Sequence, residues 1–213
     1  MKNSDALTFF EKMTDKAKNN PNCVKMANNT DFTGLDAQFI LKYALKNSEI
    51  LDLGSGTGLI VNKIYDKIAS IDCVEPFKEF SNHIVKSDNV NIINKSVLDF
   101  ETDKKYDIVN VFGLIQYFNK EESMDIYKKC LNWLKPNGKM IVKNQFGVSE
   151  DVLIAGYSEE QKTDYFAQYR HLDKEVKLLK DIGFKNIHTF DIYPPEANRW
   201  QNTHFYAIVV DKN

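Results

Sequence analysis

The most constraining feature of the sequence is a glycine-rich loop, Asp52-Leu53-Gly54-Ser55-Gly56-Thr57-Gly58. The short apolar run 49–53 before it is typical of a buried strand, and apolar residues recur at helical spacing over 59–68. Glycine lets the backbone approach a ligand closely, and the first amides of a helix have no partner within the helix. In an open α/β sheet, such a loop predicts a ligand crevice at the carboxyl ends of the strands.

Strand-like and helix-like stretches alternate through the rest of the chain. This alternation predicts βαβ units and a mostly parallel sheet with helices on both faces, a three-layer αβα sandwich. Near the C-terminus, a helix over 173–182 is followed by two strands with no helix between them, which are more simply an antiparallel pair. The further predicted strands are 70–74, 89–94, 106–112, 139–143, 186–192 and 204–210.

Two segments fall outside this alternation, and the whole chain of 213 residues has the size of a single domain, 1–213. Residues 1–34 look helical and then form a loop, so they are predicted to be a helical N-terminal appendage. Residues 144–171 are long for an ordinary connection. Each segment is interpreted as a lid over the crevice, with surface decoration as the alternative.

The spacing of the glycines distinguishes two kinds of ligand. A dinucleotide-binding loop has the pattern G-x-G-x-x-G, whereas here the pattern is G-x-G-x-G and Leu59 stands where the last glycine would be. An acidic residue, Asp52, also precedes the loop. On these residues the chain resembles the class I S-adenosylmethionine (SAM)-dependent methyltransferases, over about residues 45–145.

The resemblance implies a seven-stranded, mostly parallel sheet with an antiparallel last strand, and SAM as cofactor, with S-adenosyl-L-homocysteine (SAH) as product. Glu75, after the second strand, would bind both ribose hydroxyls, because one carboxylate can accept from two neighbouring hydroxyls. Alternatively, Glu75 caps a helix and the loop serves another nucleotide. The cofactor-binding residues implied are Asp52, Gly54, Ser55, Gly56, Gly58, Glu75, Pro76, Phe77, Ser96, Val97, Asp99, Phe112 and Gly113.

Composition excludes several other classes of protein. The formal net charge of −2 does not favour a nucleic-acid partner. Three scattered cysteines fit a reducing compartment, and no apolar run is long enough for a membrane span, so we expect a cytoplasmic protein. Metal-dependent members of the family carry an Asp-Asn pair after the fifth strand. Here that position reads Asn144-Gln145, so we predict no metal.

The acceptor class is inferred by elimination within the family. Enzymes that methylate amino groups of DNA or RNA bases carry Asn/Asp-Pro-Pro-aromatic after the fourth strand, where this chain reads Asn110-Val111-Phe112-Gly113. Tyr193-Pro194-Pro195 comes too late in the chain for that role. The remaining prediction is methylation of a small polar metabolite, with O-methylation of a sugar, sugar-nucleotide, phosphorylated or carboxylated compound preferred.

The acceptor pocket is predicted in the C-terminal third. The two arginines of the chain, Arg170 and Arg199, could bind an anionic acceptor, with surface salt bridges as the alternative. His171 and His204 are candidate catalytic bases, because histidine titrates near neutral pH; a purely structural role is the alternative. The other candidate acceptor-binding residues are Phe32, Tyr117, Tyr169 and Trp200.

Three competing functions remain open at this point. The chain could methylate protein or RNA, which would require an electropositive groove. It could bind SAM without catalysis, which the cluster of polar residues near the C-terminus disfavours. An NAD-dependent oxidoreductase is disfavoured by Leu59 at the third glycine position. The sequence makes no prediction of oligomeric state.

Overall fold

The computed structural model describes residues 3–24, 31–158, 163–198 and 200–212, and a seven-stranded sheet dominates it. The strand order is β3-β2-β1-β4-β5-β9-β8. Strands β1 to β5 run parallel, whereas β9 is antiparallel to both β5 and β8. The strands are β1 Glu49–Leu53, β2 Ser70–Val74, β3 Val90–Ile93, β4 Tyr106–Phe112, β5 Leu134–Gly147, β8 Lys185–Asp191 and β9 Thr203–Asp211.

Helices cover both faces of this sheet, each over its own apolar cluster. Side chains of α1, α4, α5 and α6 belong to one cluster, and those of α2 and α3 belong to the other. The predicted three-layer αβα sandwich with a mostly parallel sheet is therefore confirmed. The helices are α1 Asn3–Ala17, α2 Thr33–Leu41, α3 Val61–Ile64, α4 Lys78–Ser81, α5 Lys120–Trp133 and α6 Leu172–Ile182.

The central strands are apolar on both faces, which explains why they read as continuous apolar runs. In β1, Leu51 and Leu53 point into one cluster while Ile50 points into the other, as the two-residue period of a strand requires. In β4, Val109 and Ile108 divide in the same way. When a parallel strand is buried on both faces, its sequence does not alternate between apolar and polar residues.

Local signals set the ends of the two long helices that follow the sheet strands. The Asn119 side chain accepts from the Glu122 amide, and the Glu122 carboxylate accepts from the Asn119 amide, each at 2.9 Å, so α5 begins with a capping box. Glu122 also accepts from the Asn3 amide at 3.2 Å, which ties the start of α1 to the start of α5. Helix α6 ends at Gly183, whose φ is 120°.

Two elements differ from the sequence-based prediction. The helix predicted over 59–68 is only the four-residue α3 followed by a 3-10 turn, Tyr65–Lys67. Strand β5 begins at Leu134, five residues before the predicted start, because Leu134 pairs with Tyr106 across a bulge that contains Pro136. Proline has no amide to donate, so it is tolerated at such a bulge.

The two segments outside the alternation contact each other. Residues 144–171 contain the end of β5 and an antiparallel hairpin, β6 Val152–Ser158 and β7 Thr163–Tyr169. Helix α1 packs against β7 and α4, with the Phe9 ring 5.3 Å from that of Tyr165. Their role as lids stays a prediction.

Candidate active site

The glycine loop links β1 to α3 in a conformation that only glycine adopts freely. Gly54, Gly56 and Gly58 have φ values of 71°, 54° and 74°. A Cβ atom at Gly54 would lie 2.8 Å from Leu114 Cδ1, and one at Gly58 would lie 2.8 Å from Ile84 Cγ1. The loop therefore needs glycine both for its backbone angles and for close packing against neighbouring elements.

Glu75 follows β2 and lies directly against this loop. Its Oε2 accepts from the Gly56 amide at 2.9 Å, and its Oε1 accepts from the Phe77 amide at 3.0 Å. Burial raises the pKa of Glu75 to about 7, partly offset by these two amides. Burial likewise raises the pKa of Asp52, at the end of β1, to about 6. The loop thus borders two buried carboxyl groups that ionise only near neutrality.

A cavity of about 350 Å³ extends from the loop across the carboxyl ends of β1, β4 and β5. This is the crevice position expected for an open α/β sheet. Its far end lies between α2, the hairpin and β9. The residues that line it include Asn3, Leu7, Phe10, Phe32, Asp36, Asp52, Gly54, Ser55, Gly56, Glu75, Pro76, Phe77, Ser96, Val97, Phe112, Gly113, Gln116, Tyr117, Lys143, Asn144, Gln145, Tyr165, Tyr169, Tyr193 and Phe205.

Most residues predicted to bind the cofactor lie on this cavity, but two do not. Gly58 faces away from it and packs against Ile84. Asp99 lies behind Ser96, to whose carbonyl its amide donates at 3.1 Å, so Ser96 and Val97 occupy the wall instead. The other eleven predicted residues line the cavity from the glycine loop to Gly113.

The predicted acceptor-binding residues divide into two groups. Phe32, Tyr117 and Tyr169 line the cavity, but Trp200 does not. Trp200 instead donates a hydrogen bond from Nε1 to the Tyr169 hydroxyl at 3.3 Å. Arg199 lies outside the described residues.

Arg170 does not face the cavity, which corrects the prediction that it binds an anionic acceptor. Its Nε lies 2.5 Å from Glu175 Oε2 and its Nη2 2.9 Å from Glu175 Oε1, in a two-pronged ion pair. Nη1 donates to the Phe118 carbonyl at 3.1 Å, and the Tyr127 hydroxyl donates to Glu175. This buried pair links β7 to α6 and is committed to structure.

The two histidines predicted as bases also lie off the cavity. The ring of His171 is hydrogen-bonded to the Val148 carbonyl at 2.9 Å, at the start of α6. The ring of His204 lies between Asp191, at 2.7 Å, and Asn198, also at 2.7 Å. Because both rings are bonded outside the cavity, neither occupies a position from which it could take an acceptor proton.

Three polar residues that the sequence analysis did not select meet at the far end of the cavity. Lys143 Nζ lies 3.0 Å from Asp36 Oδ2 and 3.0 Å from the Tyr193 hydroxyl. The Tyr193 hydroxyl donates to Asp36 Oδ1 at 2.7 Å. We call this group the Asp-Lys-Tyr cluster. A usable signal was Lys143 itself, a charged residue within the apolar run of β5.

Gln116 also contributes a group without a partner. Its Nε2 donates to the Gly113 carbonyl at 2.9 Å, whereas its buried Oε1 has no hydrogen-bond partner among the described residues. The side chain lines the cavity and is 7% exposed. A buried oxygen of this kind favours a ligand that donates a hydrogen bond.

Comparison with known proteins identifies the fold and the domain. Residues 50–138 match the profile of the methyltransferase domain family. Two solved structures share almost the whole fold: a SAM-dependent methyltransferase of Leishmania major and the N-methyltransferase NodS of Bradyrhizobium japonicum in complex with SAH. Residues 50–138 therefore match a methyltransferase domain, and the chain has the fold of class I SAM-dependent methyltransferases. The family predicted from the glycine loop and Glu75 is thereby confirmed.

The structural matches extend well beyond the profile. The Leishmania methyltransferase aligns with a TM-score of 0.71 and 16% identity, over 96% of this chain and 83% of that one. NodS aligns with a TM-score of 0.69 and 9% identity, over 96% of this chain and 98% of that one. The methyltransferase fold therefore includes the N-terminal helix and the C-terminal strands as well as 50–138.

The match to proteins with curated names covers only part of their length, and those names state different methyl acceptors. An alpha N-terminal protein methyltransferase 1 of Dictyostelium discoideum is 26% identical over 64% of this chain and 54% of that protein. A phosphoethanolamine N-methyltransferase of Plasmodium falciparum is 24% identical over 69% of this chain and 57% of that protein. The methyltransferase match thus spans little more than half of each relative.

The described residues contain neither a helix that could span a membrane nor a group of side chains that could hold a metal ion. Within the described ranges, no helix combines the length and the apolar character needed to cross a membrane. Over the same residues, no group of three or more histidine, cysteine, aspartate or glutamate side chains could hold a metal ion.

Proposed function

We propose that this protein transfers the methyl group of SAM to a small polar acceptor bound at the far end of the cavity. The observation that carries the proposal is that one cavity joins the glycine loop and Glu75 to the Asp-Lys-Tyr cluster. A cofactor at the loop and an acceptor at the cluster would therefore lie side by side. The family match to residues 50–138 supports the activity.

The residues at the loop end fit SAM. Both oxygens of Glu75 already accept one amide each, and each keeps a lone pair for a ribose hydroxyl. Pro76 and Phe77 would lie against the adenine, and Phe112 with Gly113 would lie beneath the methionine part. When bound, SAM supplies a methyl group activated on a cationic sulfur, with a neutral leaving group.

The protein's own task is then alignment and exclusion of water. Leu7 and Phe10 of α1 line the cavity, which supports a role for the N-terminal helix as a cover over bound ligands. Aromatic rings of the hairpin and of β9, among them Tyr165 and Phe205, enclose the far end. Holding two reactants in line within such a walled site accounts for much of the rate of a displacement.

The charges on the cavity wall favour a neutral or cationic acceptor. Its described lining contains three carboxyl groups, Asp36, Asp52 and Glu75, against one cation, Lys143. Since Arg170 is held by Glu175, it cannot offset this balance. An acceptor carrying phosphate or carboxylate would find no unpaired cation on the described wall, because Lys143 is paired with Asp36, so O-methylation of an uncharged polar compound is the form of the activity we favour.

N-methylation is the second candidate. It is supported by the names of two similar proteins, a phosphoethanolamine N-methyltransferase and an N-methyltransferase, and by a cavity that tolerates a cation. Methylation of a protein N-terminus, as the name of the Dictyostelium relative states for that protein, would require a chain end to enter the same cavity.

Binding and transfer can be tested separately. Isothermal titration calorimetry should give one-to-one binding of SAM and of SAH, with no heat from NAD(H). Radiolabelled-methyl SAM should then label a small-molecule fraction of a cell extract, and not its protein or RNA. The matched control is Glu150→Gln, at an exposed residue that does not line the cavity, which should bind SAM as the wild type does. Binding of NAD(H) in place of SAM would refute the proposal.

A further inference from the structure

The Asp-Lys-Tyr cluster is assembled from three distant parts of the chain and is buried. Asp36 lies on α2, Lys143 near the end of β5, and Tyr193 in the connection from β8 to β9. Their exposed fractions are 1%, 8% and 7%. Three polar side chains at this depth, all facing one cavity, are costly to maintain unless they are fully paired or meet a ligand.

Within the Asp-Lys-Tyr cluster, one N–H donor of Lys143 and one lone pair of the Tyr193 oxygen take part in no hydrogen bond among the described residues. An ammonium group has three N–H donors, and among the described residues those of Lys143 meet two oxygens, Asp36 Oδ2 and the Tyr193 hydroxyl. The Tyr193 hydroxyl accepts from Lys143 and donates to Asp36, so one lone pair of its oxygen is unused. A ligand group at the cluster can therefore both accept and donate.

The cluster lies next to the part of the cavity where the methyl group is expected. Lys143 pairs in register with Phe112, and its carbonyl accepts from the Gly113 amide at 2.8 Å. Its Nζ lies 5.4 Å from the ring centre of Phe112 and 4.9 Å from that of Tyr193. The cluster is thus beside the residues proposed to lie beneath the methionine part of SAM.

We propose that the cluster binds a hydroxyl group of the acceptor and takes its proton, so that the reaction is O-methylation. The inference rests on the proposed methyltransferase function. A hydroxyl can accept from the third N–H of Lys143 and donate to the Tyr193 oxygen at once. A carboxylate has no proton to donate, and an amine that is protonated, as most aliphatic amines are near neutral pH, has no lone pair to accept with. A neutral amine could make both bonds, and the chemical class of the product, tested below, distinguishes it from a hydroxyl.

The proposed step is balanced within the site. The acceptor oxygen forms a bond to the methyl carbon as the carbon–sulfur bond breaks, and the bonding pair stays on sulfur to leave neutral SAH. The acceptor proton passes to the Tyr193 oxygen while Tyr193 gives its own proton to Asp36 Oδ1, which lies 2.7 Å away. Asp36 returns that proton to water when the products leave.

Asp36 has a second effect in this arrangement, which is to neutralise Lys143. An unpaired ammonium beside a sulfonium would repel it, whereas the ion pair with Asp36 is neutral overall. The pairing therefore lets a donor for the acceptor oxygen sit close to a cationic methyl donor. This explains why the one cation on the described cavity wall has a carboxylate at 3.0 Å.

The chemical class of the labelled product tests the proposal. Extract metabolites are incubated with the protein and radiolabelled-methyl SAM, and the product is treated with alkali and passed over cation exchanger. A stable, neutral methyl ether is expected. A basic methylamine or an alkali-labile ester would overturn the inference while leaving the proposed function intact. If nothing is labelled although SAM binds, the proposed function fails, and the inference with it.

Variants test the role of the cluster itself. Tyr193→Phe should lower the rate of labelling about a hundredfold, the usual range for a lost proton-transfer group, while SAH affinity by calorimetry stays within about twofold. Asp36→Asn should also slow transfer and should weaken SAM relative to uncharged SAH, because Lys143 is then unpaired. The control Tyr206→Phe alters a half-buried tyrosine off the cavity and should keep the wild-type rate. Wild-type rates for Tyr193→Phe and Asp36→Asn would refute the role.

Discussion

Glu75 offers a direct test of whether a buried carboxyl group that binds the cofactor lowers the stability of the free protein when it ionises. Burial raises the pKa of its carboxyl group from 4.5 in the unfolded chain to about 7 in the fold. The folded protein therefore holds this proton over a pH range in which the unfolded chain has lost it. Glu75→Gln removes the ionisable group at every pH, but it also places an NH2 group opposite one of the two amides that donate to Glu75, which adds a cost that does not depend on pH.

The sign and the size of the effect follow from proton linkage. A carboxyl group with a raised pKa contributes stability below pH 4.5, and this is lost as the pH rises through about 7. A difference of this size corresponds to about 3 kcal/mol of unfolding free energy. We expect the stability difference between the Glu75→Gln protein and the wild type, both without ligand, to shift by about 3 kcal/mol in favour of the variant between pH 4.5 and pH 8.

Urea denaturation at pH 4.5, 6 and 8 measures this difference. Asp52 titrates in the same range, but it is present in both proteins, so the comparison isolates Glu75. The exposed control, Glu150→Gln, should run parallel to the wild type at all three pH values. If Glu75→Gln also runs parallel to the wild type, Glu75 is ionised at no cost in the fold and the reasoning about its burial is wrong.

The same shift predicts how SAM binding depends on pH. Ribose hydroxyls donate to the ionised carboxylate, so the affinity for SAM depends on the fraction of Glu75 that has lost its proton. With a pKa of about 7, the ionised fraction rises about tenfold between pH 6 and pH 8, and the affinity for SAM should rise with it. Glu75→Gln should bind SAM at least about tenfold more weakly at pH 8, because one hydroxyl loses its acceptor.

Two further substitutions test the loop and the buried ion pair. Gly54→Ala places a Cβ atom 2.8 Å from Leu114 at a φ of 71°, so we expect about 1–2 kcal/mol lower stability in urea denaturation and weaker SAM binding, whereas Gly34→Ala, with open space around it, should not destabilise. Arg170→Met leaves Glu175 buried without its cation and should lower stability by about 3–5 kcal/mol. The exposed pair of Lys174 with Asp151 is the control, and Lys174→Met should change stability by less than about 1 kcal/mol. If Arg170→Met has wild-type stability, the structural role of the ion pair is refuted, and Arg170 is again a candidate for binding the acceptor.

The fold could be predicted in detail because its signals are local. Each strand from β1 to β4 is a short apolar run that ends at turn residues, and such runs keep their identity when they are buried on both faces. The start of β5 was less predictable. Its pairing of Leu134 with Tyr106 across a bulge depends on a partner strand, and no local pattern contains that information.

The cofactor end of the site could be predicted for a related reason. The loop 52–58 lies in one continuous stretch, and Glu75 follows the next strand, so parallel topology alone brings them together. The two misplaced residues mark the limit of this argument. Whether Gly58 or Asp99 faces the cavity depends on the packing of Gly58 against Ile84 and on the backbone hydrogen bond from Asp99 to Ser96, which spacing along the chain cannot decide.

The acceptor end could not be predicted, because chemical type is a poor guide to which polar residues face a cavity. Arg170 was the expected anion-binding group, but a buried arginine is more stable with a carboxylate of its own chain, and Glu175 lies one helical turn away. Lys143 looked like one lysine among many. It faces the cavity because β5 ends beside β4, and it is stable there because Asp36 arrives from α2, more than a hundred residues earlier in the chain. The residues proposed to choose the acceptor thus depend on pairings that only the folded chain makes, and testing Lys143, Asp36 and Tyr193 as one unit follows from that dependence.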